Sequence, residues 1–284
     1  MVKLVLTYDL ERYGNSSLET NHPQNLQDRK YALSGLELIL KIHKKYKVGG
    51  TVFVLGRLLE LCKNEITKLI RRYAIDIQQH TYSHILFKED KNRSKKPAKL
   101  SDIKHEIKIT NDLIKDYLEV DVIGLSTPIG YYEGLKSEKE VLMFLKKEGF
   151  KFVKSDSRDI GNKLPGPFVV NGKIKQPYFY PNGILELTGQ GWHDCVIKGL
   201  IPHEMPPKIA NNPIEELSYY LNDLKVARNN QNQIYSPSFH PWSIAMRDPT
   251  GYVIESLIKY SIKNNIIITS AKDFFMNYQY DSSI

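Results

Sequence analysis

Short apolar segments alternate along the chain with longer segments in which apolar residues recur every three or four positions. The short segments are rich in β-branched and aromatic residues, which predicts strands, and the longer ones predict amphipathic helices. Strands are predicted at residues 3–8, 51–55, 75–77, 120–125, 150–154, 183–187, 234–239 and 266–269. Helices are predicted at residues 30–46, 57–73, 101–117, 137–148, 213–229 and 252–264.

The order strand, helix, strand repeats along most of the chain, which predicts parallel strands joined by right-handed crossovers. The reactive residues of such sheets gather beyond the carboxyl ends of the strands. With 284 residues, the chain is long enough for a barrel or for a sheet covered by helices. Neither a linker, an internal repeat nor a low-complexity segment is visible, so we expect residues 1–284 to form a single domain.

The amino-acid composition and the net charge indicate which class of protein the chain belongs to. A hydrophobic content of 41% and a charged content of 25% are ordinary for a soluble globular protein. The net charge of +8 would suit a polyanionic partner. However, the lysines are dispersed apart from a basic loop at residues 88–99, and no stripe of aromatic and basic residues is visible. The charge therefore indicates a solvated surface rather than nucleic-acid binding.

The apolar segments and the cysteines of the sequence indicate the cellular compartment in which the protein is expected. The apolar run at the N-terminus is too short for a signal peptide, and no run approaches the roughly 18 apolar residues needed to span a bilayer. Cys62 and Cys195 are too few for a disulfide framework, and their spacing is not that of a metal site. We therefore expect free thiols, a cytoplasmic location and no membrane partner.

Two histidines, His80 and His84, stand four residues apart directly after a predicted strand. Side chains at this spacing point the same way across a helical turn or a tight loop, so their neutral nitrogens can meet one divalent cation about 2.0–2.1 Å away. A third ligand must come from elsewhere. On its own, such a pair is more often two polar residues at the surface.

Carboxylates and a further histidine end two other predicted strands. Asp9 and Glu11 stand two residues apart, so both can reach a common point. One carboxylate could join the histidines as the third metal ligand and the other could act as a base, although a helix cap or a surface pair is the alternative. His240, beside Pro241 and Trp242, could donate a proton.

Further polar and aromatic side chains follow predicted strands. Asp156 and Asp159 could orient an imidazole and raise its pKa, or could simply cap the next loop. His22, in a polar loop over residues 11–28, is expected to have a structural role. The candidate contacts to a substrate are Tyr131, Trp192, His193, Asp194 and Trp242. For the aromatic residues, packing in the core is an equal explanation.

In their order these residues resemble the motifs of the polysaccharide deacetylase family, defined by NodB homology, which includes chitin and peptidoglycan deacetylases. The most specific likeness is the segment His80 to His84, which matches the family's HTxxH motif. Four further segments resemble family motifs, namely residues 7–11, 126–130, 155–159 and 239–242. The resemblance covers nearly the whole chain. It implies an α/β fold, a distorted (β/α) barrel with fewer than eight parallel strands that forms one catalytic domain.

The resemblance also implies a reaction, the metal-dependent hydrolysis of an N-acetyl amide on an amino-sugar saccharide. It assigns roles to Glu11, His80 and His84 as ligands of a divalent metal ion, usually zinc, to Asp9 as base, to His240 as general acid, to Asp156 or Asp159 as the acid-tuning carboxylate and to the backbone N–H of Ile129 as oxyanion donor.

The sequence departs from the family pattern at two positions, and two other functions are also possible. Ser126 stands where the RxPxG motif has an arginine that would pair with the base, and Glu11 is one methylene longer than aspartate. Arg158 or Arg57 could supply the missing charge. The chain could instead hydrolyse another non-peptide amide, a ureide or cyclic imide as an allantoinase does, or be a catalytically inactive carbohydrate-binding relative. The expected partner is an N-acetylated saccharide or a small amide, and self-association is left open.

Overall fold

The computed structural model describes residues 2–11, 26–89 and 96–278. Its strands are β1 (Lys3–Val5), β2 (Thr7–Leu10), β3 (Thr51–Val54), β4 (Asp76–Gln79), β5 (Gly124–Tyr131), β6 (Phe152–Asp156), β7 (Val169–Val170), β8 (Lys173–Ile174), β9 (Tyr178–Phe179), β10 (Leu185–Glu186), β11 (Ile234–Tyr235), β12 (Ser238–Phe239) and β13 (Ile267–Thr269). Its helices are α1 (Leu26–Tyr46), α2 (Gly56–Leu61), α3 (Lys63–Tyr73), α4 (Leu100–Leu118), α5 (Lys139–Lys147), α6 (Asp194–Ile197), α7 (Pro213–Asn229), α8 (Pro241–Arg247), α9 (Tyr252–Lys263) and α10 (Ala271–Met276).

Some of the sequence predictions fall outside these residues. Most of the predicted loop at 11–28, with His22, lies outside the described ranges, as do residues 90–95 of the basic loop. Within the described ranges, no helix combines the length and the apolar character needed to cross a membrane.

One curled sheet carries most of the strands. Its order within the described residues is β12-β2-β3-β4-β5-β6-β10-β9, and neighbouring strands are parallel except for β10 and β9. A parallel sheet in the order β11-β1-β13 continues it, because β1 leads directly into β2 and β11 into β12. The predicted distorted (β/α) barrel of parallel strands is thereby confirmed.

Helix α7 begins where the sequence predicts because its first turn is capped locally. The side chain of Asn212 accepts hydrogen bonds from the backbone N–H groups of Ile214 and Glu215, and Pro213 occupies the first helical turn. A boundary that depends on neighbouring residues in this way can be predicted from the sequence.

Other elements differ from the pattern because tertiary contacts set their ends. The first predicted strand is interrupted at Leu6, where the chain passes from the sheet of β1 to that of β2. The predicted helix at 57–73 is split at Cys62, whose φ and ψ of −126° and 33° are not helical. Strand β5 continues to Tyr131, beyond its predicted end, so the segment 126–130 belongs to the sheet.

The largest apolar core lies between the sheets and the helices that cover them. It includes Leu4 and Tyr8 of the strands, Leu36 of α1 and Leu257 of α9, all fully buried. Burial of a leucine side chain contributes roughly 1.5–3 kcal/mol. A second core cluster packs α4 and α5 against β5 and β6. The strands that carry the candidate site residues are thus held against helices by these two cores.

Helix α1 packs closely on α8, and this contact depends on Gly35. A Cβ atom there would lie 1.9 Å from the carbonyl oxygen of Pro241, so the two backbones would have to separate. We expect Gly35→Ala to lower the free energy of unfolding by about 1–3 kcal/mol, as overpacking does. Urea-induced unfolding measures the change. Ser34→Ala, at the exposed neighbouring position, is the control, and equal midpoints for the two variants would contradict the prediction.

Candidate active site

The carboxyl ends of the parallel strands surround one cleft. The residues that line it include Asp9, Glu11, His80, His84, Ser126, Ile129, Gly130, Lys154, Arg158, His193, Cys195, His203 and His240. The two carboxylates and three histidines selected from the sequence therefore share one cleft, although they come from distant parts of the chain. Their chemical roles stay predictions.

The carboxylate of Glu11 lies beside two imidazoles. Its Oε2 is 2.9 Å from Nε2 of His84 and 3.3 Å from Nε2 of His80, and all three side chains are buried. Nδ1 of His80 lies 2.9 Å from the carbonyl oxygen of Ser126, to which it donates, and this turns Nε2 towards Glu11. Burial alone would raise the pKa of Glu11, but the imidazoles of His84 and His80 outweigh it and hold that pKa well below its usual value.

A tight loop, rather than a helix, brings the two histidines together. The backbone is left-handed at Thr81 and at His84, with φ of 61° and 67°. Glu106 of α4 holds the loop between them, because its Oε2 accepts hydrogen bonds from the backbone N–H groups of Tyr82 at 3.0 Å and Ser83 at 2.7 Å. Glu106 was missed in the sequence because it lies inside a predicted helix and belongs to no motif.

The three side chains offer a donor set for a divalent cation. One ligand atom from each lies within 4.8 Å of the other two. Oε2 of Glu11 is buried and, apart from the two imidazole nitrogens that face it, has no hydrogen-bond partner among the described residues. A buried carboxylate oxygen without a hydrogen bond is costly unless a cation balances it. One carboxylate and two imidazoles are ligands that catalytic zinc uses, so these residues fit such an ion.

A buried ammonium group lies in the cleft with the predicted base. Lys154 on β6 is the register partner of Ser126 on β5, and it lines the cleft together with Asp9. Its Nζ donates to Oγ of Ser238 at 2.8 Å and also to Oγ1 of Thr7. Burial lowers the pKa of Lys154 to about 8, and the charge of Asp9 opposes that decrease.

Lys154 therefore supplies a positive charge next to the strand position at which the family motif has arginine. Of the two arginines considered from the sequence, Arg158 lines the cleft, whereas Arg57 is not among the described residues that line it. The available signal was a lysine at the end of the predicted strand 150–154, directly after the apolar residues Phe152 and Val153.

The imidazole of His240 is oriented by Asp194. Its Nδ1 lies 2.6 Å from Oδ1 of Asp194, and its backbone N–H donates to Oδ2 at 3.2 Å. Asp194 is fully buried beside Lys198, whose ammonium is 3.1 Å from it and 3.0 Å from Glu216. Burial disfavours the charged ring, but Cys195 and Asp194 outweigh it and raise the pKa of His240 well above its usual value. This imidazole is suited to carry and release a proton.

Three aspartates make contacts other than those expected from the sequence. Asp156, expected to tune the acid, pairs with Lys175 at 2.8 Å and accepts a hydrogen bond from Tyr178. Asp159 accepts from the backbone N–H groups of residues 163 and 164 and thereby closes its own loop. Asp194, expected to contact substrate, has no exposed surface. The reason is that α6 packs beside β12, which brings Asp194 to His240 in their place.

The aromatic candidates differ in exposure. Trp242 is fully buried in the largest core, and Tyr131 is 2% exposed, with a hydroxyl that donates to a backbone carbonyl. Neither ring has a face exposed to a sugar, so the structure agrees with packing, the alternative that the sequence left open for both. Trp192 is partly exposed and packs edge-on against His203 of the cleft, and His193 lines the cleft directly. Trp192 and His193 stay candidate substrate contacts.

Ile129 lies at the cleft with an unusual backbone conformation. Its φ of 53° is left-handed, which is unfavourable for a β-branched residue. The pairing of β5 with β6 shifts register between Ser126 and Tyr131, and Oγ1 of Thr127 donates to the carbonyl oxygen of Ile129 at 2.9 Å. Strain of this kind is common at functional loops. The oxyanion role of the Ile129 N–H stays a prediction.

Comparison with known families identifies the segment that contains the paired histidines. Residues 31–153 match the family described as polysaccharide deacetylase. The resemblance drawn from the sequence motifs is therefore confirmed. No curated protein matches the chain.

Solved structures share the fold at low sequence identity. A polysaccharide deacetylase from Mycobacterium smegmatis is 15% identical with a TM-score of 0.72, over 97% of this chain and 89% of its own. The PuuE allantoinase is 14% identical with a TM-score of 0.63, over 98% and 91%. A CE4 family pseudoenzyme from Bacillus anthracis is 14% identical with a TM-score of 0.53, over 98% and 67%. Since these three differ in what they do, the likeness shows the fold alone.

Proposed function

We propose that the chain removes N-acetyl groups from an amino-sugar saccharide, because residues 31–153 match the polysaccharide deacetylase family, whose members are amide hydrolases. The observation that supports this proposal is the presence of the Glu11, His80 and His84 cluster in one cleft with Asp9 and His240. Metal-dependent amide hydrolysis uses this combination of a Lewis-acid site, a base and an acid.

Glu11, His80 and His84 would hold the metal ion, and zinc suits one carboxylate and two imidazoles. When bound, a divalent ion of this kind polarises a carbonyl oxygen and lowers the pKa of water. Other residues would hold the proposed ligands in position. The backbone carbonyl of Ser126 orients the ring of His80, and Glu106 holds the loop that carries both histidines.

The remaining residues would move the protons. Asp9 would accept a proton from the water that attacks the acetyl carbonyl carbon, and the N–H of Ile129 would stabilise the resulting oxyanion. His240 would then give its proton to the departing nitrogen, because an amide nitrogen leaves as a neutral amine far more easily than as an anion. Asp194 would keep the ring of His240 in the orientation for that transfer.

Lys154 would place a positive charge near the proposed base, Asp9, and so support its action on the attacking water. We expect Lys154→Met to lower kcat at pH 7 by roughly tenfold or more, the effect of losing an interaction of about 1.4 kcal/mol. The pKa of Lys154 is about 8. In the unmodified protein the rate should therefore fall as the pH rises through about 8 and the charge is lost, and this decrease should be absent from the variant.

The test of this prediction is the pH profile of kcat. Lys151→Met, which removes an exposed lysine just before the same strand, is the matched control and should leave the profile unchanged. An unchanged kcat at pH 7 in Lys154→Met, together with the same decrease near pH 8, would show that Lys154 does not act on the base.

The substrate class is tested by incubating the zinc-loaded protein with N-acetylated chito-oligosaccharides and, separately, with allantoin. Acetate release from the first is expected. Ring opening of allantoin without acetate release would replace the proposal by the ureide alternative, and binding of the oligosaccharide without turnover would favour an inactive carbohydrate-binding protein. Glu11→Gln serves as the control for contaminating activity.

A further inference from the structure

A second cluster of metal-ligating side chains lies in the same cleft. One potential ligand atom from each of His193, Cys195 and His240 lies within 4.8 Å of the other two. We propose that this cluster is a second metal site, selective for zinc-like ions, whose occupation inhibits the enzyme. The inhibition, although not the binding, rests on the function proposed above.

The fold builds this cluster from two loops that are distant in sequence. His193 is the N-cap of the short helix α6, and Cys195 lies within that helix. His240 is the N-cap of α8, directly after β12. Because α6 packs beside β12, the three side chains meet, although the spacing of the cysteines in the sequence gives no sign of a metal site.

The donor set suits a borderline-soft cation. A thiolate and two imidazoles are ligands that zinc and cobalt accept, whereas magnesium and calcium prefer oxygen. Nε2 of His193 is buried and has no hydrogen-bond partner among the described residues. Asp194 holds Nδ1 of His240 at 2.6 Å, which is the carboxylate–histidine pairing typical of metal ligands. All three residues line the cleft, so an ion can reach them.

The two clusters are adjacent. Oε1 of Glu11 lies 3.7 Å from Nε2 of His240, while Oε2 of the same carboxylate faces His84. His240 cannot donate a proton to a leaving amine while Nε2 is bound to an ion. An excess of zinc should therefore inhibit the reaction that one equivalent of zinc supports.

Titration of the metal-free protein with Co²⁺ tests the binding without any substrate. We expect two equivalents to bind, and the second to produce a near-ultraviolet sulfur-to-cobalt charge-transfer band. Cys195→Ser should bind one equivalent without that band, whereas Cys62→Ser, which alters the other buried cysteine, should retain it. Glu11→Gln should lose the first equivalent and still show the band.

The inhibition is measured as the ratio of acetate release in a tenfold excess of Zn²⁺ to that with one equivalent. This ratio should be well below one for the unmodified protein and should rise towards one for Cys195→Ser. Binding of a single equivalent without a charge-transfer band, or a band that persists in Cys195→Ser, would overturn the second site. A failure to release acetate at all would count against the proposed function but would leave the cobalt band as the test of this site.

Discussion

Replacing Glu11 by glutamine is expected to reduce amide hydrolysis by roughly a thousandfold, the largest effect of any substitution considered. The carboxylate supplies the only negative charge among the three proposed ligands, and its Oε2 is the oxygen that faces both His80 and His84. Loss of Lewis-acid stabilisation worth about 4 kcal/mol corresponds to that factor. The two imidazoles alone should bind zinc weakly, so metal affinity should fall with the rate.

The measurement has two parts, zinc binding by equilibrium dialysis and kcat with one equivalent of zinc. Glu140→Gln removes an exposed carboxylate of α5 and is the matched control, with no change expected in either quantity. The variant at Glu11 should fold, because glutamine has nearly the same volume as glutamate and the packing is kept. If Glu11→Gln bound as many zinc equivalents as the unmodified protein, with unchanged affinity, the catalytic metal would lie elsewhere and the proposed mechanism would lose its basis.

The site residues that could be predicted from the sequence are those that follow the ends of predicted strands. Asp9, His80 and His240 each follow a segment whose apolar pattern predicts a strand. Because parallel strands bring their carboxyl ends to the same edge of a sheet, these residues could be expected to meet without knowledge of any contact. The cleft in which they lie together agrees with that expectation.

The contacts that the sequence did not predict are those made by packing between separate elements. Asp194 meets His240 from a position 46 residues away because α6 packs beside β12, and no local pattern encodes that contact. Glu106 acts from one face of a helix that looks amphipathic and ordinary. Trp242 was assigned to the cleft from its neighbours in sequence, yet its ring turns into the core. Tertiary packing, rather than local propensity, decides these three positions.

Replacing Asp194 by asparagine is expected to lower kcat by about a hundredfold while zinc remains bound. General acid catalysis contributes roughly 10²–10⁴ to the rate, and the transfer depends on the orientation of His240. The carboxylate of Asp194 accepts from Nδ1 at 2.6 Å, whereas an amide would hold the ring less firmly and would no longer stabilise its charged form.

The variant Asp156→Asn distinguishes tuning of His240 by Asp194 from tuning by Asp156, which the sequence motif suggested. Asp156 pairs with Lys175 and is not the carboxylate beside His240, so its variant should retain most of the activity. Both variants should bind zinc like the unmodified protein, which distinguishes them from Glu11→Gln. If Asp156→Asn lost more activity than Asp194→Asn with zinc still bound, the acid would be tuned from β6. The pairing of His240 with Asp194 would then serve the stability of the fold and not the proton transfer.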